Sequence, residues 1–214
     1  GKSTIKKKCV LIGAGERPVT KIKKEAQNLL IAVDGGYDVC RMWNLEPDLI
    51  VGDLDSIEPE NRAFLEKEQG ERIVKLPCEK DDTDTILACE AAIEEGCDEI
   101  RLYCALGGRT DHTIANIQTM EMMRQRGVNV TIVGNGERIY LVHEREAEIP
   151  RFRGYVSVFS YGETCIVSEY GMKYGLVRYR LDNAYPLGVS NEVADEVGRV
   201  IVHGGTALVI EHHE

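Results

Sequence analysis

Four short stretches concentrate carboxylates: Asp34-Gly35-Gly36, Gly52-Asp53-Leu54-Asp55-Ser56, Asp81-Asp82-Thr83-Asp84 and Arg109-Thr110-Asp111. Gathered acids repel one another, and some of their pKa values rise unless a cation or hydrogen-bond donors compensate. A hard divalent cation is the simplest compensator; Mg²⁺ takes oxygen ligands, keeps several waters and bridges carboxylates to substrate phosphates. In an extended Asp53-Leu54-Asp55 the two acids share one face, because side chains alternate with period two. The run Gly107-Gly108-Arg109-Thr110-Asp111-His112 leads into a helix, with Asn116 four residues beyond His112. Two glycines permit close backbone approach, a helix start offers free N–H groups to a phosphate, and Arg109 adds a planar multi-donor cation, so this run has the form of a phosphate clamp. Each piece also has a plainer reading, since Asp and Gly are common in turns and Asp or Thr at a helix start is often only a cap. His112 alone is more often structural and stays outside the catalytic set.

Other stretches imitate functional motifs. Gly1-Lys2-Ser3-Thr4 has the end of a P-loop without the preceding strand and first glycine. Gly13-Ala14-Gly15 has Pro18 where the third glycine of a dinucleotide fingerprint belongs, although it remains placed to line a nucleotide pocket. The closing Glu211-His212-His213-Glu214 reads as a solvated tail rather than a metal site.

Those acids must be positioned by elements legible from periodicity. Short apolar runs at 9–12, 30–33, 49–51, 73–76, 100–103 and 130–133 alternate with amphipathic stretches, which favours α/β architecture with a mostly parallel sheet. In an open sheet of that kind the carboxyl ends of the strands converge on one crevice, and the four acidic stretches follow predicted strands. One helix runs behind an Asp82/Thr83 cap, with Ile86, Cys89, Ile93 and Cys97 at helical spacing and Gly96 near its stop. A second starts near Thr110, carries Ile114, Ile117 and Met120 or Glu121 along one side, and ends with Arg124 and Arg126 before Gly127, where cations suit the helix dipole. Beyond Gly136 short β-like runs separated by glycines replace the helices. The fold class is therefore α/β, a Rossmann-like mostly parallel sheet with flanking helices over 1–135, followed by an all-β, sandwich-like domain over 136–214.

The 214 residues are 43% hydrophobic and 29% charged, enough for a sizeable core. A formal net charge of −10 argues against broad nucleic-acid or anionic-membrane binding, yet not against ATP, because a metal ion reverses the local sign. No apolar run approaches the ~20 residues that span a bilayer, and no signal-peptide core follows the start, which points to the cytoplasm. The seven cysteines are scattered without a CxxC pair or zinc-ligand spacing, so they read as reduced, mostly buried thiols.

In order along the chain, Asp34-Gly35-Gly36, Pro47-Asp48-Leu49-Ile50-Val51-Gly52-Asp53-Leu54-Asp55-Ser56, Asp82-Thr83-Asp84 and Leu106-Gly107-Gly108-Arg109-Thr110-Asp111-His112 resemble the signature of the thiamine pyrophosphokinase family. Gly171-Met172-Lys173-Tyr174-Gly175-Leu176 is similar to that family's Gly-Leu-Lys-Tyr/Trp segment, and Ser190-Asn191-Glu192 to its Ser-Asn motif. Met172 and Gly175 depart from the family's usual leucine and frequent proline. The resemblance implies an N-terminal α/β domain, a C-terminal β-sandwich-like domain, and a homodimer with sites between subunits. It implies Asp53, Asp55 and Asp84 as metal and phosphate-side acids with Asp111 nearby. Thr83, Arg109 and Thr110 would hold ATP with Asp34, Gly35, Gly36 and Asn116, and Ser190 and Asn191 would lie on the thiamine side. Tyr174 could stack on cationic thiamine or pack in the core.

The implied reaction is diphosphoryl transfer: the hydroxyethyl oxygen of thiamine attacks the β-phosphorus of Mg·ATP and AMP leaves. Such chemistry needs in-line positioning and charge neutralisation, with Asp84 or Asp111 accepting the hydroxyl proton. Two other readings compete. A metal-dependent nucleotide-sugar glycosyltransferase would use Asp53-Leu54-Asp55 as an Asp-x-Asp motif but leaves the other motifs idle. A non-catalytic nucleotide- or thiamine-binding module would keep the pocket without turnover.

Overall fold

The computed structural model describes residues 7–68, the backbone of 73–74, and residues 83–214. The readings at residues 1–4, 75–76 and 81–82 lie outside the described residues. The chain divides into two compact units, Gly1–Asn135 and Gly136–Glu214.

The first unit is a mixed α/β fold around a parallel sheet. Its strands are β1 (Lys7–Ile12), β2 (Leu29–Val33), β3 (Leu49–Val51), β4 (Ile73–Val74), β5 (Cys97–Tyr103) and β6 (Asn129–Val133), in the spatial order β6-β5-β1-β2-β3-β4. Every pairing within it is parallel. Buried on both faces, β2 reads as an unbroken apolar run, Leu-Leu-Ile-Ala-Val. Leu11, Ile12, Leu30, Ile31, Ile50, Ile100 and Leu102 are fully buried and form the strand contribution to the core. The chain runs outward from β1 to β4, then returns to the far side of β1 as β5 and β6. Such a reversal opens a crevice beyond the carboxyl ends of the strands.

Helices α1 (Gly36–Met42), α2 (Pro59–Glu68), α3 (Asp84–Glu94) and α4 (Thr110–Gln125) connect the strands. α3 buries Ala88, Cys89 and Ala92 and stops before Gly96 (φ +88), so Cys97 belongs to β5 rather than to the helix. α4 buries Thr119, Met120 and Met123, whereas Ile114 is exposed and Ile117 only half-buried. The buried stripe therefore lies nearer its C-terminal half than the apolar spacing suggested. α1 is too short, and α2 too polar with only Leu65 buried, for periodicity to reveal either. Asp38 of α1, itself buried, accepts from Glu58 N and Asn61 Nδ2, and Arg41 sits 3.6 Å over the Phe64 ring, so the two helices hold the loop after β3 between them.

The second unit is strand-rich: β7 (Glu137–His143), β8 (Glu146–Pro150), β9 (Gly154–Tyr170), β10 (Leu176–Asp182) and β11 (Val197–His213). β11 pairs antiparallel with β7, β8 and β9, and β10 with β9. The short runs expected from the glycine spacing are in fact joined into two 17-residue strands. Gly162 sits inside β9 and Gly204-Gly205 inside β11, where register shifts bend the strand instead of ending it. Val142, Val158, Val167, Val200, Val202 and Val209 pack one core beneath the bend. The C-terminal tail is likewise part of the fold: Tyr140 Oη donates to buried Glu211 at 2.7 Å, and the His213 ring stacks on Phe152 at 3.8 Å.

Candidate active site

Where β2 ends, Asp34 turns the chain with φ +51, its N–H held by Val51 O at 2.9 Å. Gly36 then begins α1 so close to β1 that a Cβ would lie 2.0 Å from Ile12 O. Where β3 ends, Gly52 (φ +106) passes against two carboxylates: a Cβ there would stand 2.0 Å from Asp34 Oδ1 and 3.3 Å from Asp84 Cγ. Only glycine allows both that backbone angle and that approach. The next N–H, of Asp53, donates to Asp34 Oδ1 at 2.7 Å. Asp84 opens α3 behind Thr83, whose hydroxyl accepts from Ile86 N at 3.2 Å. The carboxylates of Asp34 and Asp84 thus come together beside Gly52 at the carboxyl ends of β2 and β3, with the main chain of Asp53 bonded to Asp34 and its carboxylate turned to Asp55 N.

Their electrostatics show strain from crowding. The Asp34 carboxyl is pushed up to about 7, first by burial and next by its hydrogen bond with Asp84. The Asp53 N–H pulls the other way, and the charges of Asp84 and Asp53 add to the rise. Two carboxylates in hydrogen-bond contact must share a proton or a cation. Burial and Asp84 favour the protonated form of Asp34, and the donor set, all carboxylate oxygen, is the kind a hard cation takes. Among the described residues no three Asp, Glu, His or Cys side chains are grouped so as to hold a metal ion.

Asp55 stands differently. Leu54–Ser56 forms a 3₁₀ turn capped by Asp53, whose Oδ1 accepts from Asp55 N at 2.8 Å. The extended geometry that would put both acids on one face is absent; the Asp55 side chain is 85% exposed and pairs with Arg62 Nη1 at 3.1 Å. At the start of α4, Arg109 donates twice to Asp111, at 3.1 and 2.6 Å, which holds the Asp111 carboxyl below its ordinary range. Both are exposed, and none of these bonds runs to Asp34, Asp53 or Asp84. Arg109 is the N-cap without a side-chain cap bond, and Thr110 is the first helical residue, its side chain exposed. Asn116 Nδ2 donates to Ala105 O at 3.1 Å and so pins the loop between β5 and α4. That loop is further laced to the one after β1, through Gly13 N to Tyr103 O, Gly15 N to Cys104 O and Glu16 N to Leu106 O. A Cβ on Gly15 would lie 2.5 Å from Cys104 O, so Gly13-Ala14-Gly15 is a backbone-packing motif that shapes the rim of the crevice.

In the second unit Tyr174 is 63% exposed, which sets aside core packing for its ring. Ser190 adopts φ +61, and its N–H bonds Ser157 Oγ. Asn191 is buried and bonds the main chain of Tyr174. Sequence reasoning missed two partners. The sequence places Asp34 on the nucleotide side, and nothing in its spacing reveals the contact with Asp84. Glu169 was overlooked, although it shares strand parity with buried Cys165 and Val167.

A family model described as thiamin pyrophosphokinase, catalytic domain, matches residues 20–132. A thiamine pyrophosphokinase of Bacillus subtilis is 27% identical over 189 residues, covering 87% of this chain and 88% of that protein. One from Oryza sativa subsp. japonica is 33% identical over 116 residues, 50% of this chain and 42% of that protein. The crystal structure of the Bacillus subtilis enzyme superposes with a TM-score of 0.89 at 26% identity, covering 97% of this chain and all of that one. The matched residues 20–132 span more than half of the chain and contain Asp34, Asp53, Asp55, Asp84 and Asp111. The chain belongs to the thiamin pyrophosphokinase family.

Proposed function

We infer that the chain is a thiamine diphosphokinase, moving the terminal diphosphate of ATP onto the hydroxyl of thiamine to give thiamine diphosphate and AMP. The observation that carries the reading is the convergence of Asp34, Asp53 and Asp84 on Gly52, inside the region matched to the family's catalytic domain. An acid pair sharing a proton is an arrangement that a divalent cation completes by displacing that proton.

Asp34, Asp84 and Asp53 would hold Mg²⁺, with Asp55 swinging from Arg62 to join them. Bound there, the ion would neutralise charge on the transferring phosphates. The remaining work belongs to the chain. Arg109, freed from Asp111, supplies a two-pronged donor to phosphate oxygens, and the N–H groups that open α4 lie beside it. Asp111, released by the same exchange, or Asp84 accepts the proton of the attacking hydroxyl. Gly35, Gly36, Thr83, Thr110 and Asn116 shape the nucleotide side, chiefly through backbone and loop geometry. Residues 1–135 are thus the ATP- and metal-binding part. Residues 136–214, whose bent strands over one core fit a sandwich-like reading, carry the thiamine side through Tyr174, Ser190 and Asn191.

Exposed apolar side chains on β9 and β10, namely Ile166, Tyr170, Val177 and Tyr179, support a homodimer that covers them. Among the described residues no helix is long and apolar enough to cross a membrane. The six described cysteines are free and buried, in keeping with a reducing, cytoplasmic setting. The 3₁₀ turn that separates Asp53 from Asp55 counts against an Asp-x-Asp glycosyltransferase.

Incubation with ATP, Mg²⁺ and thiamine, followed by chromatography, tests the reading. It expects AMP and thiamine diphosphate in equal amounts; formation of ADP, or binding of both substrates without product, rejects it.

A further inference from the structure

Asn191 spends its whole carboxamide on the protein. Its Oδ1 accepts from Tyr174 N at 3.0 Å and from Glu192 N at 2.9 Å. Its Nδ2 donates to Tyr174 O at 2.7 Å and reaches Glu169 Oε1 in a long 3.5 Å contact. An amide has two N–H donors and two acceptor sites, so none is left over for a ligand. Its main chain is equally committed, exchanging bonds with Val156 at 2.8 and 2.9 Å. Two N–H groups on one side and two oxygens on the other fix which way the amide faces.

Glu169 closes this arrangement from below. It is 1% exposed, and its second oxygen, Oε2, is buried with no hydrogen-bond partner among the described residues. Burial pushes the carboxyl up to about 7, with Asn191 pulling it back. An acid left half-satisfied in a core costs stability. What the cluster holds is the turn between β9 and β10, which carries the exposed Tyr174 ring. That ring already accepts a cation at its face: Lys173 Nζ stands 5.5 Å from the centroid, tethered to Glu192 at 3.2 Å.

We propose that Glu169 and Asn191 are positioning residues: they lock the main chain of Tyr174, so that its ring presents a cation-accepting face to an aromatic cationic substrate that Asn191 itself does not touch. The inference rests on the reading of this unit as the thiamine side. Removing the lock lets the ring swing away, which weakens thiamine and leaves ATP untouched.

Steady-state kinetics on the full chain decide it. Asn191→Asp keeps the two accepted bonds but turns an oxygen toward Tyr174 O and Glu169 Oε1. It raises the thiamine KM about 10-fold, the worth of one cation–π contact, with kcat and the ATP KM little changed. Adding Glu169→Gln to Asn191→Asp restores part of the loss, because the glutamine N–H donates to the new aspartate oxygen and remakes the contact between the two side chains in the reverse sense. Should Asn191→Asp not fold, Glu169→Leu gives the same KM split, and in a Tyr174→Ala background it adds nothing further. A loss spread equally over both substrates, absence of rescue, or additivity with Tyr174→Ala overturns the positioning role. An unsubstituted chain that makes no thiamine diphosphate takes down the functional reading with it, whereas an active parent without the split takes down the positioning role alone.

Discussion

Asp34 keeps its proton to a higher pH than an ordinary aspartate, because burial and the neighbouring Asp84 both penalise its charge. Replacing either acid by asparagine relieves that crowding. Asparagine at position 34 still accepts from Asp53 N and tolerates the left-handed backbone. We therefore expect Asp34→Asn and Asp84→Asn to raise the melting temperature of the ligand-free protein while lowering turnover by about 100-fold or more. Thermal melts and steady-state rates on the same preparations check both halves. The pH dependence follows from the same acids. Asp34 rises from 3.8 to about 7 and Glu169 from 4.5 to about 7, so between these limits the folded state binds more protons than the unfolded one. The stabilisation is complete below the unfolded values and is lost as pH climbs through 7. Denaturant midpoints measured without substrates should fall from pH 5 to pH 8, and Glu169→Gln should flatten the slope.

The strand ends and the turn after β3 decide where those acids stand. Gly52→Ala would thrust a methyl into Asp34 and force an unfavourable backbone angle, so it should cost more than ~1 kcal/mol of stability and nearly all activity. Gly127→Ala, where nothing lies within 4 Å of the added carbon, keeps activity and isolates the steric part. Much of this scaffold was legible in the chain itself. Apolar runs over 30–33 and 49–51 located β2 and β3, and Thr83 caps α3 as its type suggests. Three features were not legible, each for a physical reason. The 3₁₀ turn at Leu54–Ser56 arises because the Asp53 carboxylate captures Asp55 N, a local bond that outcompetes extension. The 17-residue strands run through glycines that look like breaks, since a bulge bends a ladder without ending it. The pairing of Asp34 with Asp84 is a contact between distant segments, and a single sequence carries no trace of it.

At the scale of the whole molecule, a net charge of −10 is compatible with the proposed binding of ATP, because a site-bound cation would reverse the local sign. In the proposed homodimer the exposed apolar side chains of β9 and β10 are covered, so light scattering on a size-exclusion column should report twice the chain mass. Val177→Glu, placed at the most exposed of them, should shift that mass toward the monomer. In the proposed reaction the molecule delivers the β- and γ-phosphates of ATP together to one hydroxyl. ATP labelled on its β-phosphorus tests it most directly, read out by chromatography after incubation with Mg²⁺ and thiamine. Diphosphate transfer puts the label in thiamine diphosphate with unlabelled AMP as the other product; label recovered in ADP or in free diphosphate rules it out.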